Sequence, residues 1–135
     1  MSNILASGLM ADADLSAKQY YAVMLSASTD RYVSLITNAN APQVPFGILQ
    51  NDPDAAGKAA EVCVFGVCKA IYGGTVTRGD SLSIDDTGRL ITDAITEVLA
   101  GNAIDLFHCA YALESGAVNE VRQVLFVGPR VMGKE

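Results

Sequence analysis

One histidine, three cysteines, two Asp pairs and an Arg-Gly-Asp tripeptide are the residues of this chain whose types could do chemistry. His108 stands in Leu106-Phe107-His108-Cys109-Ala110, an apolar run. A general base needs a nucleophile within hydrogen-bond reach and a third group to orient it. No Gly-x-Ser-x-Gly, His-x-x-x-His or phosphate-cradling glycine loop accompanies it. The expectation is a structural histidine and no catalytic residue. Asp85-Asp86 and Asp52/Asp54 offer a carboxylate dyad or an oxygen-rich cation site on paper. Both pairs sit in turn sequences, Asp85-Asp86-Thr87-Gly88 and Asn51-Asp52-Pro53-Asp54, where Asp accepts hydrogen bonds from nearby backbone. The turn role is expected, with no metal and no cofactor. Arg78-Gly79-Asp80 reads as the turn into the next strand rather than as an adhesion motif.

Cys63 and Cys68 lie five residues apart. In a regular strand that odd spacing puts the thiols on opposite faces, unable to bridge or to share a metal. Cys109 follows His108, and two neighbours do not make a zinc site. An odd cysteine count closes no full disulfide framework within one chain, so the thiols are expected reduced and buried.

Composition bounds the partners. The chain has 135 residues, half of them hydrophobic and 18% charged, against about 25% charged in an average protein. Such a chain folds rather than staying disordered, and part of its apolar surplus is expected to face a partner. Nine Lys plus Arg against fifteen Asp plus Glu give a formal charge of −6, and the cations are scattered. Neither a phosphate backbone nor an anionic membrane surface suits that balance. No apolar stretch reaches the ~18 residues of a transmembrane helix. The first ten residues lack the positive segment of a signal peptide, so synthesis and use in a cytoplasm are expected.

The elements that must position these residues read as short strands. β-prone runs cover Tyr20–Ser26, Arg31–Thr37, Phe46–Gln50 and Ala60–Tyr72, the last with Gly66 as a bulge or bend. Asp80–Ile84 and Arg89–Thr92 flank a hairpin signal at 85–88. Residues 94–105 fit a helix or a loop. Leu106–Leu113 fits a buried strand or a helical turn, and Val118–Val127 closes the fold as a strand broken by Gly128-Pro129. Turn signals recur every 8–12 residues with no βαβ alternation, which is the form of a small all-β barrel or sandwich. Three parts are expected: an extended arm at 1–19 with at most one short helix, a β domain at 20–128 and a tail at 129–135.

Several pieces in order carry a resemblance: Gly47-Ile48-Leu49-Gln50-Asn51-Asp52-Pro53, Ala55–Val62, Gly66-Val67-Cys68-Lys69-Ala70, Gly73–Asp80 and Ala110–Ala117 before a closing strand. Together they resemble the small head decoration, or capsid cement, proteins of tailed bacteriophages, over roughly the last two-thirds of the chain. The resemblance implies a β-tulip-like domain that assembles as a homotrimer on the outer surface of the mature head. There it would lock neighbouring major capsid protein subunits, with no enzyme activity and no small-molecule substrate. Asn3, Ile4, Leu5, Leu9 and Met10 are then the expected capsid-binding residues, ordering on a groove of the shell. An arm packed on its own domain is the alternative. On the arm reading, deleting residues 1–15 abolishes shell binding and leaves the domain folded. The stretch Gly73–Ile91 also resembles lipoyl and biotinyl carrier domains, but its hairpin tip at 85–88 has no acceptor lysine. A small β-barrel enzyme or ligand-binding module, and a tail- or fibre-associated interaction domain, stay open as rivals.

Overall fold

The computed structural model describes residues 3–6, 8–37, 44–92 and 107–131. They form ten strands: β1 (Asn3–Ala6), β2 (Met10–Ala11), β3 (Ala22–Leu25), β4 (Tyr32–Leu35), β5 (Gly47–Leu49), β6 (Val62–Ile71), β7 (Ser81–Ile84), β8 (Leu90–Thr92), β9 (Phe107–Ala112) and β10 (Val121–Val131). The order is β2-β4-β3-β5-β6-β10-β9-β7-β8, with β1 paired on β6 beside that path. The fold is all-β, as the recurrent turn signals without βαβ alternation imply, and the sheet is open rather than closed into a barrel. No helix occurs among the described residues, and 94–105 lies outside them.

The middle of the sheet is apolar on both faces. Ala22, Ile48 and Cys63 stand in one cross-strand row and face a core that also holds Tyr72, Leu82, Leu90 and Phe126. Their chain neighbours Val23, Leu49 and Val62 face a second core with Ala11, Leu15, Val33 and Ala60. Period-two side-chain alternation therefore feeds two cores at once. This is why β5, Gly47-Ile48-Leu49, is buried along its whole length.

The cysteine spacing gives a different outcome from a regular strand. Opposite β1, Ile4 pairs with Phe65 but Leu5 pairs with Cys63, so β6 carries one extra residue there. A bulge residue shifts the pleat by one, and the odd spacing then acts as an even one. Gly66, at φ +108°, supplies the adjoining conformation that a side chain would resist. Cys63 and Cys68 thus share one core, where the Cys63 thiol donates to the Phe65 carbonyl at 3.6 Å. The neighbouring Cys63 thiol, together with burial, pushes the Cys68 thiol well above its ordinary range. All three cysteines are free and buried.

The described residues nearest each terminus are paired into the sheet. β1 pairs antiparallel with β6, and β2 pairs parallel with β4. Ala11 and Leu15 are fully buried, since the apolar spacing of this segment suits the second core. At the other end, Gly128-Pro129 does not end the last strand. Pairing with β9 slips between Phe126 and Arg130 and resumes as Arg130–His108 and Val131–Phe107. The irregularity absorbs the proline, which has no N–H to give a ladder.

The 85–88 hairpin shows why its Asp pair belongs to a turn. Asp85 Oδ1 accepts from the Thr87 and Arg89 amides and from the Thr87 hydroxyl, each at 2.9 Å. Arg89 Nε lies 2.9 Å from Asp85 Oδ2. Burial alone would raise this carboxyl, but the hydrogen bonds from Thr87 and Arg89 outweigh it and hold it below the usual carboxylate range. A depressed folded value means that the stabilisation is present above the unfolded pKa and is lost as pH falls through the folded one. Asp85→Asn should therefore cost about 1.5–3 kcal/mol at neutral pH, the worth of a charge-assisted hydrogen bond. The gap to wild type should close as the pH drops below about 4. Urea midpoints across pH check both statements.

Candidate functional site

Ser81 Oγ lies 2.6 Å from His108 Nδ1, and the imidazole stacks edge-on against Tyr111 with ring centroids 4.7 Å apart. A serine–imidazole contact is the first half of a nucleophilic pair, but it acts only where a substrate can reach it. His108 is 7% exposed, and neither residue lines the grooves described below. Among the described residues no group of three or more His, Cys, Asp or Glu side chains is placed to hold a metal ion, and no helix is long and apolar enough to cross a membrane.

The Arg-Gly-Asp tripeptide is bound up in its own turn. Asp80 Oδ2 accepts from the Thr77 amide at 2.9 Å and from the Thr92 hydroxyl at 3.0 Å, while the Arg78 amide donates to Ser115 Oγ. Its carboxylate fixes the approach of β7 to β8. At the other Asp pair, Asp54 meets Lys58 at 3.6 Å in an exposed contact, worth little in water.

The expected contact residues at the N-terminus fall into three settings. Leu5, Leu9 and Met10 line one groove of about 650 Å³, together with Gly8, Arg31 and Glu61. Ile4 points outward, 58% exposed, beside its register partner Phe65 at 50%. Asn3 goes elsewhere: its Nδ2 donates to the Val67 carbonyl at 2.9 Å, and the residue lines a second groove. The first groove is thus an apolar trough, rimmed by one charge of each sign, next to an exposed apolar pair. Such surface on a small domain marks a contact site more often than an accident of folding. Arg31 reaches it from the β3–β4 turn with φ +68°, and Glu61 from the approach to β6. Neither residue carries a local sequence signal for this role, because strand pairing alone brings them to Leu5 and Leu9.

The second trough was not legible in the sequence at all. Two adjoining hollows of about 410 and 440 Å³ share Tyr20, Lys69 and Gln123. Tyr20 is held at φ +75°, a conformation costing a bulky residue about 1–3 kcal/mol. Its backbone explains how it is held there. The Tyr20 amide donates to Leu49 at 2.7 Å and its carbonyl accepts from Ile71 at 3.0 Å. Gln50 closes one wall, its amide pairing with the Lys69 backbone through Nε2 at 2.9 Å and Oε1 at 3.4 Å.

No protein-family model and no curated protein matches the chain. Among solved structures, the head-fibre N base of bacteriophage phi29 is similar to it, with a TM-score of 0.62 at 15% identity. The likeness covers 94% of this chain and 95% of that one. At such an identity the two share a fold.

Proposed function

We propose that this chain is a structural protein of a tailed-bacteriophage virion. In this reading it sits on the outside of the head and cements neighbouring major capsid subunits, as a homotrimer without chemistry of its own. The observation that carries the reading is the likeness to a phage head-fibre base over nearly the full length of both chains. The first groove supports it from the side of contact chemistry: Leu5, Leu9 and Met10 offer an apolar trough, with Ile4 and Phe65 exposed beside it. A protein that binds only the assembled lattice stabilises that lattice by mass action. A second reading, a seat for a projecting fibre, is favoured by the same likeness, since that neighbour is itself a fibre base.

Particles of the phage that encodes the chain should carry it after density-gradient purification, with gold-labelled antibody decorating the head. Its absence from purified particles would sink both readings. Flat density across capsomers favours cement, and a protruding stalk favours the fibre seat. Light scattering over a concentration series should give a trimer mass, and a monomer both in solution and on heads would remove the homotrimer. Within this reading, Ile4→Ser with Leu5→Ser should weaken binding to heads lacking the protein by at least about tenfold, as for loss of a central apolar contact. Both side chains are exposed, so the far-ultraviolet spectrum and melting temperature should barely move. Saturation at wild-type concentrations would show that the contact surface lies elsewhere.

A further inference from the structure

The trough around Tyr20, Lys69 and Gln123 has a composition that the capsid reading does not use. Lys69 and Gln123 stand directly opposite each other on β6 and β10. Among the described residues the Lys69 ammonium, the Gln123 side-chain amide and the Tyr20 hydroxyl make no hydrogen bond or ion pair. The neighbouring polar groups are already spent on the walls. Gln50 is tied to the Lys69 backbone and Asn3 to Val67. Arg122 is held by Glu120 and by the Ser115 carbonyl. One free cation, one free amide and one phenol therefore line a shape fixed in advance, which lowers the cost of binding.

From this placement we infer that the trough binds a sugar acid, a pyranose ring bearing a carboxylate. A carboxylate takes the Lys69 ammonium, a charge-assisted contact. Ring hydroxyls both donate and accept, and they meet the Gln123 amide, the Tyr20 hydroxyl and, in the further hollow, the Glu114 carboxylate. An aromatic ring offers the flat apolar side of a pyranose its match. Only Val67 and Val121 bring aliphatic bulk to the lining, too little to recognise an apolar ligand. The left-handed backbone at Tyr20 supports the same reading. Strain of this kind is kept where the surrounding structure and a task require the side chain, and glycine would remove it.

Amide resonances of nitrogen-15-labelled protein should be followed while D-glucuronate, D-glucose, acetate or a tetraglutamate peptide is added. Glucuronate should move the signals of Tyr20, Val67, Lys69 and Gln123 with a Kd of about a millimolar, the affinity of a few hydrogen bonds and one charge contact. Glucose and acetate should each bind about tenfold more weakly, lacking one half of the recognition. Lys69→Gln, an exposed change that keeps the fold, should weaken glucuronate about tenfold and erase its advantage over glucose. Tyr20→Gly should weaken it too while leaving the melting temperature unchanged or higher. The inference falls if glucuronate leaves these signals still or if Lys69→Gln binds as wild type. It falls equally if acetate or the peptide matches glucuronate, which would make the trough a site for any carboxylate or for acidic protein.

Discussion

Replacing Tyr72 by alanine should lower the stability of the domain by about 3–5 kcal/mol, the range for emptying a buried aromatic site. Against a total of about 5–15 kcal/mol for an ordinary domain, that leaves the variant marginal at room temperature. Tyr72 is fully buried and stands where three parts of the chain meet. Its ring fills the larger core, its backbone amide and carbonyl bond to Glu120 and Asn119, and a bridge joins it to Leu90 at the start of β8. Gly116 lies so close that a methyl group there would come within 2.9 Å of the ring. Tyr72→Phe is the control. It keeps the ring and loses one hydrogen bond, from the hydroxyl to the Glu114 carbonyl at 2.6 Å, for about 1 kcal/mol. Urea melts of the three proteins check both figures, and a Tyr72→Ala cost near that of the phenylalanine variant would mean that the core refills the space.

Deleting residues 1–15 should unfold the domain or leave it insoluble, contrary to the behaviour of a detachable arm. The deletion removes Leu15, a fully buried side chain whose loss by itself is worth about 2–5 kcal/mol. Ala11 goes with it, along with the bonds from the Ala11 amide to Lys58, from Gly57 to Ala11 and from Leu15 to Pro53. Val23, Val33, Leu49 and Val62 would then face water on the side that these residues covered. Deleting residues 1–6 is the contrasting experiment. β1 contributes no fully buried side chain, so the shorter deletion should stay folded and lose several degrees of melting temperature. Circular dichroism and size-exclusion profiles separate the two outcomes. A shell-binding test by truncation consequently has to stop at residue 6, and point substitutions at Ile4 and Leu5 serve better.

Much of the fold was written in local pattern. The hairpin at 85–88 announced itself by Asp-Asp-Thr-Gly between apolar runs, and β7 and β8 pair across it with Ile84 opposite Leu90. β3 and β4 likewise follow from two β-prone runs joined by a polar loop. What stayed hidden depends on distant pairing. The bulge that brings the two thiols together is defined by β1, whose residues lie some sixty positions earlier. The burial of Leu15 depends on a second core assembled from β3, β4, β5 and β6. The break expected at Gly128-Pro129 was a sound reading of proline chemistry, yet a register slip against β9 removed the conflict. Of the residues expected to make contacts, Leu5, Leu9 and Met10 line one groove while Asn3 lines the second trough. Tyr20 and Lys69 carry no local signal, because residue type displays neither a backbone angle nor the pairing of a side chain.

The pairing of β6 has a consequence for how the protein is made. This strand takes β1 and β5 over its first half and β10 over its second, and β10 is the last of the ten to be synthesised. While a ribosome works through residues 72–120 between them, Val67 to Ile71 waits without its partner. A strand edge left open for that long, interrupted by a single lysine, is a template for other nascent chains. At a synthesis rate of about 5–20 residues per second the exposure lasts several seconds. Yield should then improve at lower temperature or with added chaperone, more than the stability of the finished fold would suggest.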